Sequence, residues 1–171
     1  MKKIKALVIL SMLALTACGP RNLSQAPMGA PVDPAMAAAP EVNDDAAIAG
    51  RVLQQINTLR ANIALAPLQP SPQLDAAALV HSRDMSAQNR AWHWGSDGSS
   101  PLDRAQRQGH TGRLIGENIS ETYEDEIETL SAWMSTRDTR DVIMDPTATQ
   151  LGFAWFREPS VKVWWTLLTA G

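Results

Sequence analysis

His93-Trp94-Gly95-Ser96-Asp97-Gly98-Ser99-Ser100-Pro101-Leu102-Asp103-Arg104 and, after a short gap, Gly116-Glu117-Asn118-Ile119 form the stretch on which the reading of this chain turns. Spacing alone gives a histidine on an extended segment, a Gly/Ser/Asp turn, a helix start and a second turn. Gly, Asp and Ser are ordinary turn formers. No Lys stands where a phosphate-binding loop needs one, so Gly95 to Ser100 is not a phosphate cradle. Ser100-Pro101 supplies an N-cap with Pro at the first helical position, and Gly109 stops that short helix. Trp92 and Trp94 flank His93 at period two and point away from it. They either wall a groove or plug the core.

Outward from this stretch the chain alternates helical periods with late strands. Ile48, Val52, Ile56, Leu59 and Ile63 recur at steps of four and three, an amphipathic helix that Asp44 or Asp45 caps. Pro67 and Pro70 end it. Ser71-Pro72 starts a second helix with Leu74, Ala78, His81 and Met85 on one face. A fourth helix carries Ile127, Leu130, Trp133 and Met134. Leu151 to Phe156 and Val161 to Leu168 read as strands joined by Arg157-Glu158-Pro159-Ser160, and the region from Ile115 to Ser120 adds a third. Helices first and antiparallel strands last make an α+β layered domain.

Taken together, these residues resemble the bacterial branch of the CAP superfamily, the SCP-like or cysteine-rich secretory proteins. Their pattern is roughly His-x-Gly-x-Asp-Gly-x-Ser-Pro-x-Asp-Arg followed by Gly-Glu-Asn-Ile. His81-Ser82-Arg83-Asp84-Met85, Trp133-Met134-Ser135, and Asp145-Pro146 ahead of a strand containing Gly152 also agree. The resemblance runs from about Val52 to the last residue. It implies a three-layer α-β-α sandwich with a small antiparallel sheet. It says less about activity, because this superfamily does several unrelated things on one scaffold.

The resemblance also implies a groove lined by four residues: the motif His, the Glu of Gly-Glu-Asn, a Glu after the helix Trp, and a His beyond it. Some members hold a divalent cation there. Matched residue by residue, the first two are His93 and Glu117. The second Glu falls near Thr136 and the second His at Thr139; Val142 stands for an Asn, and Leu167 for the Gln of Tyr-Trp-Thr-Gln. A stable zinc site wants three or four protein ligands. One His and one Glu fall short unless His110 or Asp138 converges on them, so neither a metal nor another cofactor is expected. The candidate groove residues are His93, Glu117, His81 and Thr139. His81 is either a hydrogen-bonded core histidine or a groove wall. His93 with Glu117 is either a buried pair that fixes two loops or a pair that orients a ligand.

No Gly-x-Ser-x-Gly elbow is present, and no second acid can be ranked beside Glu117 as a glycosidase pair. The leading expectation is a non-enzymatic binding module for a small lipid, glycan or peptide. The alternative is an envelope hydrolase acting on peptides or peptidoglycan, with Glu117 as base and His93 as its partner. A structural module with a vestigial groove is the third.

The amino-terminal residues predict location. Lys2, Lys3 and Lys5 precede an apolar run from Ala6 to Leu15. That run is too short for the ~30 Å of hydrocarbon in a bilayer and reads as a signal peptide, residues 1–17. Leu15-Thr16-Ala17-Cys18 resembles a bacterial lipobox, which implies acyl chains such as palmitate on Cys18. Cys18 is the only cysteine, which excludes an intramolecular disulfide. Gly19 rather than Asp favours, by analogy with Gram-negative lipoproteins, the periplasmic face of the outer membrane. Residues 18–45, with Pro20, Pro27, Pro31, Pro34 and Pro40 among Ala, Gly and Gln, form a tether spanning roughly 30 Å when flexible and about 80 Å when extended. Residues 46–171 form one domain. Without residues 1–17 the chain carries 12 Lys and Arg against 18 Asp and Glu, a formal balance of −6. That argues against nucleic acid or an anionic lipid surface as a partner, since both need clustered Lys and Arg.

Overall fold

The computed structural model describes residues 44–171. The signal segment, Cys18 and all but the last two residues of the tether lie outside the described residues. Helix α1, Asp44–Ala61, already includes Asp44 and Asp45 and buries Ile48, Val52 and Ile56, as their spacing predicts. Ile63 departs from the prediction. The helix ends at Ala61, Ala64 takes a left-handed conformation (φ 58°), and Ile63 is 60% exposed.

The buried place at that end of α1 belongs to Arg60, which is fully covered. Its guanidinium donates to the carbonyls of Ala66 (2.8 Å), Ile143 (2.8 Å), Asp145 (3.0 Å) and Ala148 (3.1 Å). Burial lowers its pKa, and the Asp145 carboxylate works against that shift. One side chain thus closes the turn after α1 and ties it to a loop more than eighty residues away.

Strand β1, Gln69–Pro70, leads into α2, Pro72–Gln88. The Ser71 hydroxyl accepts the Leu74 N–H at 3.4 Å, and Asn89 ends the helix in the left-handed region. Leu74, Ala78, His81 and Met85 are all buried on one face. Helix α3, Pro101–Arg107, opens on a reciprocal capping box between Ser100 and Asp103. Strand β2, Leu114–Ser120, follows. Asp125 caps α4, Glu126–Ser135, by accepting the N–H groups of Ile127 and Glu128, each at 2.8 Å. The helix is rotated from the predicted face: Ile127 is 44% exposed, while Glu126 turns inward and bonds Arg51 at 2.7 Å. A further helix, α5, Arg137–Ile143, was not predicted.

Strands β3, Gln150–Arg157, and β4, Val163–Ala170, complete a four-stranded sheet in the order β1-β3-β4-β2. β4 is antiparallel to both neighbours, and β1 adds a short parallel pairing to β3. Every residue of β4 is buried, because helices cover both faces. Val163, Trp165 and Leu167 face α1, α4 and α5. There Phe153 stacks on Trp165 at 5.7 Å and meets Trp133 edge-on at 6.4 Å. Leu168 and Ala170 face α2 and α3. The domain is a three-layer α-β-α sandwich. Among the described residues no helix is long and apolar enough to cross a membrane.

Gly152 fixes how closely α2 approaches the sheet. A Cβ there would overlap the main-chain carbon and Cβ of Leu74. Backbone cannot swing aside as a side chain can. Gly152→Ala is expected to cost about 1–3 kcal/mol, read as a lower urea midpoint at unchanged m-value.

Candidate functional site

β2 is the edge strand opposite β1, and Glu117 lies near its middle, paired in register with Leu168. Strand alternation therefore turns the Glu117 side chain toward the α2–α3 layer, where it is 1% exposed. Oε2 accepts from Arg104 of α3 at 2.6 Å, and Oε1 lies 2.9 Å from His93 Nδ1. Arg104 is itself buried, so the carboxylate meets a covered cation. The same guanidinium donates through Nη1 to the main-chain oxygens of His93 and Ser99, both at 3.0 Å. Its Nε has no acceptor among the described residues. Arg104 thus joins β2, the His93 segment and the following turn at one point.

That turn is closed by Gly95 N–H to Ser99 C=O at 2.8 Å and anchored to α2 by Ser96 N–H to Asp84 at 2.7 Å. A Cβ at Gly95 would sit 2.5 Å from Ser99 Oγ and 2.7 Å from Asp97 Oδ1, so a larger residue there would have to displace those two side chains. Ser99 and Arg107 hold the Asp97 carboxyl well below the usual range. The cavity behind Arg104, about 230 Å³, is lined by Val80, Asp84, Ser99 and Arg107 among others, but not by His93 or Glu117.

The structure brings His93, Glu117 and His81 together. His81 is fully buried beneath the pair. Its Nε2 is 2.9 Å from the Trp92 carbonyl and 3.7 Å from Glu117 Oε1. A carbonyl only accepts, so Nε2 carries the hydrogen, and Nδ1 is buried without a partner among the described residues. Burial pushes the His81 imidazole below 6.5, outweighing the pull of Glu117. The unfolded chain then takes up a proton near pH 6.5 that the folded chain refuses, so stability falls as pH drops through that value. Melting temperatures of wild type and His81→Gln between pH 7.5 and 5.5 check this: wild type is expected to lose more on acidification. Parallel curves would contradict it.

His93 is different. Its side chain is 54% exposed, and with Nδ1 held by Glu117, its Nε2 has no partner among the described residues. Trp94 beside it is 51% exposed. Trp92 is half-buried, bonded to Gln88 at 3.1 Å and covered by the Arg90 guanidinium. Trp94 therefore offers a free face next to His93, whereas Trp92 is committed to the fold.

Thr139 is attached to the site only through main chain: its carbonyl accepts from Asn118 Nδ2 at 2.8 Å. Its hydroxyl donates to the Trp133 carbonyl at 2.6 Å, joining α4 to α5. Thr136 is the exposed N-cap of α5 and makes no side-chain cap bond. Val142 packs against Gly116. Leu167 lies in the core on the sheet face opposite Glu117, not in a groove. Among the described residues no three His, Cys, Asp or Glu side chains come together as a metal site.

Sequence reasoning gave Arg104 no role although the motif contains it. The signal was present: a carboxylate expected to be buried needs a cation, and Arg104 is the one carried by the same motif.

Residues 53–168 match the family model described as "CAP: Cysteine-rich secretory protein family". No curated protein sequence matches the chain. Among solved structures, an extracellular protein containing an SCP domain from Bacillus anthracis is similar with a TM-score of 0.67 and 22% identity. The match covers 78% of this chain and 45% of that one. An outer surface protein from Borrelia burgdorferi gives 0.66 at 15% identity, over 76% of this chain and 94% of that one. A cysteine-rich secretory protein from Staphylococcus aureus gives 0.57 at 14% identity, over 76% and 41%. This chain therefore matches under half the length of two of these three proteins. At these identities the structures speak for the fold, which agrees with the family match: the chain belongs to the cysteine-rich secretory protein (CAP) family.

Proposed function

We propose that this protein is a non-enzymatic binding module of the bacterial cell envelope, tethered by lipid on Cys18, whose CAP domain takes a small lipid, glycan or peptide at His93. One observation carries the reading: His93 is fixed through Nδ1 while its Nε2 and the neighbouring Trp94 ring stay open to solvent. An imidazole nitrogen beside a flat indole suits a ligand with one hydrogen-bonding group and one apolar face. Both Glu117 oxygens are already bonded and the side chain is 1% exposed, which argues against Glu117 as the base of a hydrolase. Glu117 is a positioning residue here. The extracellular and surface descriptions of the similar proteins support an envelope location.

Tryptophan fluorescence titrations with muropeptides, phospholipid micelles and unstructured peptides test the binding, beside a turnover assay on peptidoglycan and casein. A saturable signal lost in His93→Ala, with no turnover, supports the reading; hydrolysis abolished by the same substitution overturns it. His93→Ala is expected to change stability by less than about 1 kcal/mol, because the imidazole is largely exposed. For the anchor, Cys18→Ser is expected to release the protein from membranes or leave it unprocessed, since stable anchoring needs two or more acyl chains. An unmodified Cys18 in the mature protein, seen by mass spectrometry, would contradict it.

A further inference from the structure

Among the described residues, the far edge of the sheet carries unused backbone. β4 flanks β3 along its whole length, but β1 covers only the start, where Pro70 pairs with Leu151 before the chain turns into α2. The outward carbonyls of Thr149 and Leu151 accept the N–H groups of Gln69 and Ser71. Alternate residues of a strand point the same way, so Phe153, Trp155 and Arg157 also present their main-chain groups outward. Asp75 Oδ1 accepts the Phe153 N–H at 2.9 Å. Among the described residues nothing pairs with the Phe153 carbonyl or with the N–H and carbonyl of Trp155 on this side.

A groove runs along this edge between α1 and α2. One cavity of about 290 Å³ is lined by Asp45, Ala49, Asp75, Leu79 and Trp155, among others. A second, about 240 Å³, shares Ala49, Asp75 and Phe153 with it and continues to Leu151 and Pro70. The walls are mostly apolar. Two carboxylates, Asp45 and Asp75, stand in them, and among the described residues no Lys or Arg lines either cavity.

We infer that this groove binds an extended peptide segment of another polypeptide, added as a strand parallel to β3 with a cationic residue or free amino group at its leading end. Unpaired donors and acceptors at strand spacing are what another backbone satisfies and a lipid tail does not. The direction follows from Asp75. In the parallel sense one peptide residue donates its N–H to the Phe153 carbonyl and accepts the Trp155 N–H. The residue two further on donates to the Trp155 carbonyl. The Asp75 bond to Phe153 N–H is left untouched. An antiparallel strand would need that N–H and would have to displace the carboxylate. Parallel addition continues the line that β1 leaves at Pro70, and it brings the leading end beside Asp75, with Asp45 further along the same groove. The surface lies on the opposite edge of the sheet from Glu117 and is independent of the binding proposed at His93.

The test uses the full chain in detergent micelles and the peptide Lys-Val-Thr-Val-Thr-amide with a free amino terminus. Two further versions carry backbone N-methyl groups on both Val or on both Thr, and a fourth replaces Lys with acetyl-Glu. Calorimetry gives affinities, and amide hydrogen exchange reports on Trp155. The expected result is binding that slows Trp155 exchange at least about tenfold and is weakened at least about tenfold by one N-methyl pattern but not the other, by acetyl-Glu, and by Asp45→Lys in the protein. No binding up to about 1 mM overturns the inference. So does equal binding of both N-methylated peptides, which would mean apolar adhesion without strand pairing. Trp155 protected before peptide is added also overturns it: concentration-independent protection means that the chain covers its own edge, and protection rising with protein concentration means that a second copy does.

Discussion

Arg60→Met is expected to lower folding stability by about 3–5 kcal/mol, because removing the buried guanidinium strands several carbonyl acceptors at once. The carbonyls of Ala66, Ile143 and Ala148 depend on that guanidinium, whereas Asp145 C=O also accepts the Ala148 N–H; an unsatisfied buried acceptor costs about 1–3 kcal/mol. Methionine fills similar volume but donates nothing. Against a total of about 5–15 kcal/mol for a domain, the loss is large enough to see as poor expression. Arg60→Lys places one compact ammonium where a planar fork reached four acceptors, and is expected to recover less than half. Urea denaturation of the three proteins measures this. A loss below about 1 kcal/mol for Arg60→Met would mean that water replaces the guanidinium.

The second large effect is at Arg104. Arg104→Met leaves the Glu117 carboxylate buried without its cation, and about 3–5 kcal/mol is expected to be lost. Glu117→Ala is expected to be clearly destabilising as well, and more so than His93→Ala. The double variant Arg104→Met with Glu117→Gln should cost less than the sum of its singles, because the two residues form one interaction. Strict additivity would show that the 2.6 Å pair contributes nothing beyond packing.

Much of the fold was legible because apolar periodicity is a local signal. Ile48, Val52 and Ile56, the Ser71-Pro72 and Ser100-Pro101 starts, and the last two strands appear where their spacing puts them. What escaped was non-local. β1 is two residues long and is a strand only because Gln150 and Leu151 lie beside it. α5 is short and mostly polar, and its place depends on Thr139 bonding back to α4. Ile63 and Ile127 fit helical spacing but lost their buried positions to Arg60 and Glu126. Charged side chains read as solvent-facing from sequence; both go inward because partners from distant segments await them.

The site was legible in the same uneven way. The motif named His93 and Glu117, and the structure joins them at 2.9 Å. Spacing did not say which of the two faces solvent. That follows from strand alternation, which buries Glu117 against α3, and from the bend at His93 and Trp94, which leaves the imidazole exposed rather than on the extended backbone expected there. Leu167 was misplaced because register decides the face of a strand: it pairs with Asn118, one position on from Glu117, and so points to the other layer.

Glu117 and Arg104 hold His93 with Nδ1 turned inward and Nε2 offered outward. Long-range 15N NMR of the imidazoles at pH 8.5 tests it most directly. Neutral His93 is expected to carry its proton on Nδ1, and Glu117→Ala to return it to a mixture dominated by Nε2–H. A wild-type His93 protonated on Nε2, or a tautomer unaffected by Glu117→Ala, would contradict it.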